Sequence, residues 1–231
     1  MPSIREHNVQ RIVAAACREF AHRGFALARI DEVAARAGLP KANVHYYFKT
    51  KRKLYVAVLE TAMGPLAQAC ELLDPTLSAV CALRRHIRAH AELCKVQPHA
   101  MRVLLVELLH GARHLPKGLA ERLRQTTRQG RDCLQAWMNQ GQIARGSAEH
   151  LLLFIWSTTL AQARFAPPPC PEDPAWPVDE RGLQAMVRMV CRMVLGGVEA
   201  QETSVNGSPL AGAAVRRSDL PRDGADRVDI V

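Results

Sequence analysis

Residues 30–55 read IDEVAARAGLPKANVHYYFKTKRKLY, and their spacing decides the fold class. Ile30, Val33, Ala34 and Ala37 fall at i, i+3, i+4 and i+7, one apolar stripe on a short helix. Gly38 follows, and a sharp turn between two helices needs a residue free to take positive φ. The fixed φ of Pro40 suits helix entry, so a second helix is predicted from Lys41 onward. Polar side chains tip its start, and a basic run follows it. Two helices joined in this way present the start of the second to the major groove of DNA. The stretch points to a protein that reads DNA.

Charge agrees with that expectation. Over residues 1–55 eleven Lys or Arg stand against four acids, a net of +7 out of the chain's +9. The rest of the chain therefore carries only +2. A basic excess gathered on one small helical segment is the electrostatic footprint of phosphate contact.

Working outward, Ile4, Val9, Ile12, Val13, Ala16, Cys17 and Phe20 give an amphipathic first helix ending near Gly24. Phe20 and Phe25 read as core residues bracing the two shorter helices. A fourth helix is predicted from about Lys51 toward Pro65 or a little beyond. Pro75, Pro98 and Pro116 then punctuate helical stretches near 76–96, 99–112 and 117–141. A further helix covers about 147–165, with Ser147 as N-cap, and six prolines make 166–179 an irregular connection. The last helix, near 179–196, carries Leu183, Met186, Val187, Val190, Met193 and Val194 at helical spacing. That face is broad for a terminal helix and suits either core or a subunit interface, with Met186, Val190 and Met193 the candidate dimer contacts. Beyond Gln201 the chain turns polar and reads as a disordered tail.

No stretch alternates with the period of a strand, so the fold class is all-α. The expected organisation is a helix-turn-helix DNA-binding domain over 1–50, a helical effector-binding and dimerisation domain over 51–200, and the tail over 201–231. A chain of 231 residues with 48% apolar content can bury the core this needs. MPSIREHNVQ lacks the apolar centre of a signal peptide, and LLLFIWS is too short to span a bilayer. The expected location is cytoplasmic, away from any membrane.

Seven cysteines, at 17, 70, 81, 94, 133, 170 and 191, include no CxxC pair. They read as reduced thiols packed like small apolar residues. His86, His90 and Cys94 fall at i, i+4 and i+8, a stripe that offers soft metal ligands or simply ordinary packing. His110 and His114 raise the same question more weakly. No residue is assigned to a metal, and no cofactor is expected. The chain holds no G-x-S-x-G, P-loop, G-x-G-x-x-G or H-E-x-x-H, so an enzyme is not expected.

Residues 24–55, GFALARIDEVAARAGLPKANVHYYFKTKRKLY, resemble the N-terminal domain of TetR-family regulators, most specifically in AGLPKANVHYYFKTKRKLY. The match covers about residues 8–60; the larger domain matches in helical layout more than in residues. The resemblance implies a three-helix DNA-binding domain on a helical ligand-binding domain. It also implies a homodimer formed largely by the last two helices, usually a repressor that a small molecule releases from double-stranded DNA.

Position by position, Lys41, Ala42, Asn43, Val44, His45, Tyr46 and Tyr47 occupy the recognition-helix segment. Asn43 and His45 are assigned to base edges, because both carry donors and acceptors at groove length. Tyr47 and Lys51 match phosphate-contacting positions, while Tyr46 or Phe48 could serve packing, Phe48 the better fit. The chain departs from the family at Ala28 and Arg29, where hydroxyl residues commonly cap the helix and touch phosphate. Arg29 is left to reach a phosphate by charge, without the cap.

KANVHYYFKTKRKLYVAVL and FIWSTTLAQARF are also similar to the pyrimidine-utilisation regulators of this family, which sense uracil or thymine. At Leu160, Ala161 and Gln162 the chain lacks that subgroup's polar and aromatic residues. Trp156 and Trp176 are either ordinary packing residues, as buried aromatics usually are, or the candidate effector-binding residues, flat walls for an organic ligand with a Pro-rich loop to close over it. A metal- or thiol-responsive regulator on the same fold is the alternative.

Overall fold

Beginning at Ser3, the chain starts its first helix with a reciprocal cap. The Ser3 hydroxyl accepts from the Glu6 N–H at 3.2 Å, and Glu6 Oε2 accepts from the Ser3 N–H at 2.7 Å. The structure, a computed structural model, describes residues 3–164 and 180–202. Every regular element among these residues is an α-helix: α1 Ile4–Leu27, α2 Ile30–Ala37, α3 Lys41–Phe48, α4 Lys51–Cys70, α5 Ala79–Val96, α6 Pro98–Leu109, α7 Lys117–Asn139, α8 Ala148–Arg164 and α9 Glu180–Glu202. The proline-rich connection with Trp176 and Cys170, and the expected disordered tail after residue 202, lie outside the described residues.

The expected boundaries hold within a few residues, and the differences have local causes. α1 breaks at Gly24, whose φ of 70° is open to glycine, but helical geometry resumes as far as Leu27. α4 runs through Pro65 and ends a little beyond it, at Cys70. Pro98 sits in the first turn of α6, where its missing N–H has no helical partner to lose, so α6 follows α5 almost directly.

Two apolar cores result. The first joins α1–α4 to α6, through Ile12, Phe20, Val33, Val44, Leu54, Leu59, Met63 and Met101. The second gathers α5, α7, α8 and α9 around Trp137, which is fully buried and donates its Nε1–H to the Leu77 carbonyl at 3.1 Å. The DNA-binding helices are thus packed directly onto the rest of the subunit, α1 against both α4 and α6 and α3 against α4. Cys70, Cys94, Cys133 and Cys191 are buried free thiols, as their scatter predicts.

The last helix corrects one sequence assignment. Val190 is fully buried in the second core against the chain's own helices, so it cannot be a subunit contact. Met186 is half-buried at the same core, whereas Met189 (42% exposed) and Met193 (58%) face outward. Spacing defined the apolar face, but only packing divided it into an inner and an outer half.

Candidate nucleic-acid interface and effector site

α3 is held by a single buried side chain, Val44, which is 2% exposed and sits in the first core. With Val44 inward, Lys41, Ala42, His45 and Tyr46 are exposed, Asn43 and Tyr47 half-exposed. Tyr46 is 66% exposed and Phe48 packs against the core, which resolves the choice between them in favour of Phe48 as the packing residue. Gly38, at φ 61°, closes α2: its N–H donates to the Ala35 carbonyl at 3.1 Å and the Leu39 N–H to Ala34 at 3.1 Å.

Sequence reasoning missed what fixes this turn. The Arg11 guanidinium of α1 donates to the carbonyls of Ala37 at 2.6 Å and Gly38 at 3.3 Å. These are carbonyls a helix end leaves unpaired, and the charged donor ties the α2–α3 corner to the first helix. Glu19, 1% exposed, accepts from the Arg29 N–H at 3.2 Å and lies 3.4 Å from Arg23 Nε and 3.9 Å from Arg36 Nε. That carboxylate takes over at the start of α2, where Arg29 supplies no side-chain cap.

The basic residues assigned to DNA are also placed by intrachain contacts. Lys41 Nζ pairs with Asp31 at 2.7 Å, and Arg29 lies 3.8 Å from the same carboxylate. Lys41 beside Asp31 keeps that carboxyl below its ordinary value. Lys51 donates to the Ala26 carbonyl at 2.9 Å and sits over the Phe25 ring. The Tyr47 hydroxyl accepts from Asn8 at 3.4 Å, and Lys49 lies over the Tyr46 ring. The surface is therefore pre-arranged, with its cations anchored by one acid and by backbone oxygens.

A second polar group lies deep between α5 and α8. His90 Nδ1 is 2.6 Å from the Thr159 hydroxyl, and that hydroxyl also reaches the Ile155 carbonyl at 2.8 Å. His86 Nδ1 donates to the Ala69 carbonyl at 2.8 Å, which leaves its Nε2 as an acceptor. Trp156 stacks nearly parallel to His90, ring centroids 6.0 Å apart. Burial, and secondarily His86, push the His90 imidazole down to about 3; burial lowers His86 as well. Burial thus favours the neutral form of both rings. His86 Nε2, His90 Nε2 and Trp156 Nε1 are all buried without a protein hydrogen-bond partner.

Along the His86, His90 and Cys94 stripe both Nδ1 atoms meet protein groups, burial pushes the Cys94 thiol up to about 12, and Cys94 Sγ stands 3.9 Å from His90 Nδ1. Among the described residues no three His, Cys, Asp or Glu side chains are placed to hold a metal ion. His110 Nδ1 turns back on its own helix, to the Val106 carbonyl at 2.9 Å.

His114 has a structural partner. The carboxylate of Glu107, 3% exposed, accepts from the Tyr55 hydroxyl at 3.0 Å, the His114 N–H at 2.5 Å and His114 Nδ1 at 3.1 Å. The His114 ring packs on Phe25, centroids 4.1 Å apart, and edge-on to Tyr55. One buried carboxylate thereby fastens the α6–α7 loop to the base of the DNA-binding helices.

The family model described as "Bacterial regulatory proteins, tetR family" matches residues 12–58, and the one described as "YcdC-like protein, C-terminal region" matches 59–201. The chain belongs to the TetR family of DNA-binding transcriptional regulators, and its relatives are regulators, not enzymes.

It is similar to the HTH-type transcriptional regulator RutR of Escherichia coli, 29% identical over 187 residues, 81% of this chain and 88% of that protein. That likeness runs along most of the chain. It is 30% identical over 111 residues to the HTH-type transcriptional repressor NicS of Pseudomonas putida, 46% of this chain and 50% of that protein. The fold matches a crystal structure of AibR in complex with isovaleryl coenzyme A and operator DNA, with a TM-score of 0.63, 16% identity, and coverage of 81% of this chain and 97% of that one. No helix among the described residues is long and apolar enough to cross a membrane.

Proposed function

We propose that the chain acts in the cytoplasm as a homodimeric repressor, reading a two-fold operator through α3 of each subunit. A small neutral organic effector held between α5 and α8 releases it. The observation that carries the DNA half is the orientation of α3: one inward anchor, Val44, turns Asn43 and His45 toward solvent on a corner fixed by Arg11. Asn43 and His45 then meet base edges, while Arg29, Lys41, Tyr47 and Lys51 flank them at phosphate positions. Outward Met189 and Met193 on α9, with Leu153 and Phe154 on α8, supply an apolar surface for a second subunit.

The effector half rests on the unpaired polar atoms beside Trp156. A buried donor or acceptor without a partner is costly, on the order of 1–3 kcal/mol each. A ligand that presents donors to the two histidine Nε2 atoms and an acceptor to the Trp156 N–H satisfies all three. Because burial favours the neutral form of both imidazoles, an uncharged molecule fits better than an ion. Effector and DNA then favour different arrangements of the same helices, so each weakens binding of the other.

Uracil and thymine are the first molecules to screen. A true effector raises the melting temperature and releases labelled operator, both effects being lost in Trp156→Phe, which keeps the ring and deletes the N–H. A stabilising ligand that leaves operator binding unchanged refutes the assignment.

A further inference from the structure

Away from both of these sites, a cleft of about 650 Å³ opens between α1, α4 and the junction of α5 with α6. That volume is in the range of small-molecule sites, roughly 300–1,000 Å³. Its walls are mainly apolar: Val9, Val13 and Ala14 from α1, Ala57 from α4, and Val96, a large apolar side chain left 66% exposed.

One corner is different. Arg18 and His99 line it, and burial followed by the nearby charges of Arg18, Arg102 and His22 holds the His99 imidazole below its ordinary value. Neither Arg18 nor Arg102 has an ion-pair partner among the described residues. α6 starts at the same corner with Pro98, His99 and Ala100 in the lining, no side chain capping it and no acid in its first turn. The positive end of that helix dipole adds to the cationic corner. Glu60, the acid of the lining, disfavours a ligand with a second anionic group.

We propose that this cleft binds an amphipathic organic anion with one charged head, its apolar body lying along α1 and α4 and its head at Arg18, His99 and the start of α6. An apolar trough ending in one unpaired cation, Arg18, beside a helix start selects against both a neutral chain and an inorganic ion, since each uses half of the site. α1 belongs to the DNA-binding helices and α6 to the rest of the subunit, so an occupant bridges the two and biases how α1 sits on α4 and α6. The site is separate from the α5–α8 cluster and stands or falls independently of it.

Calorimetry with decanoate, decanol and decyltrimethylammonium, each below its micelle concentration, tests the proposal on the full chain. Decanoate is expected to bind at least tenfold more tightly than the other two. Arg18→Gln should remove that advantage, while decanol binding stays the same. Ala14→Phe fills the cleft from an exposed position and should abolish decanoate binding without lowering the melting temperature; Ala57→Phe is the second filling variant. Trp156→Phe should bind decanoate normally, which keeps this result apart from the effector reading. Saturating decanoate should shift operator affinity at least threefold in the wild type and leave Ala14→Phe unchanged. Equal binding of all three probes, decanoate binding that survives in folded Ala14→Phe and Ala57→Phe, or an operator affinity indifferent to decanoate overturns the proposal.

Discussion

Replacing Glu107 by Ala removes the acceptor that ties the α6–α7 loop to Tyr55 and the DNA-binding helices. The carboxylate is 3% exposed and receives three hydrogen bonds, from the Tyr55 hydroxyl and from the His114 N–H and Nδ1. Hydrogen bonds to a charged group contribute about 1.5–3 kcal/mol each, but three on one carboxylate are not additive. Taking one member from a buried charged network costs about 3–5 kcal/mol, because the remaining partners are left unpaired. The expected loss is therefore about 4 kcal/mol, a large share of the roughly 5–15 kcal/mol that holds a domain folded. With a urea slope of about 2.5 kcal/mol/M, the midpoint should fall by roughly 1.6 M. Protomer concentration must be matched, since association adds to apparent stability.

Glu107→Gln keeps one oxygen for Tyr55 and should lose less, about 1–2 kcal/mol. The pH dependence separates charge from shape. Burial pushes the Glu107 carboxyl up, but the hydrogen bonds from His114 and Tyr55 outweigh it and set it below the ordinary 4.5. A depressed folded value means the contribution is complete above the unfolded value and disappears as pH falls through the folded one. Wild-type stability should therefore drop below pH 4.5 by more than that of Glu107→Gln. A Glu107→Ala change smaller than about 0.5 kcal/mol, the size of an ordinary surface effect, would falsify the anchoring role.

Other substitutions test the remaining parts. Asn43→Ala and His45→Ala should each weaken operator binding by about 1–3 kcal/mol while random duplex binding is nearly kept; equal loss on both duplexes would show that they do not read bases. Met189→Asp with Met193→Asp should give a folded monomer in sedimentation, because both side chains are already outside the subunit core. Val190→Asp should instead unfold the chain, a charge having entered the second core. Gly38→Ala puts a Cβ 2.9 Å from Arg11 Nη2 at φ 61°, so a loss of about 1–2 kcal/mol is expected in urea, together with weaker operator binding. No stability change in that variant would mean the corner yields more easily than its geometry implies.

The all-α class, the helix order and the place of α3 were legible in the sequence because each rests on neighbours a few residues apart. Spacing along 30–37 defines a helix face, Gly38 marks a left-handed turn, and Pro40 opens the next helix, all without knowledge of the rest of the chain. The same local logic placed Phe20 and Phe25 at the brace beneath the corner, where both meet the Tyr55 ring.

The tertiary structure decided everything that needed partners distant in sequence. Arg11 meets the carbonyls of Ala37 and Gly38, Tyr55 meets Glu107, and His90 meets Thr159; no periodicity encodes such pairings. The histidine stripe was visible as spacing, yet its chemistry depends on what occupies each Nδ1, and the carbonyl of Ala69 on His86 Nδ1 is what leaves that ring's Nε2 an acceptor. α9 shows the limit most simply. A helical repeat of Met and Val gives the width of an apolar face, but the packing of α5, α7 and α8 against it consumes Val190 and leaves Met189 and Met193 outside. Burial is a property of the neighbours a residue acquires on folding, and a single helix carries no record of them.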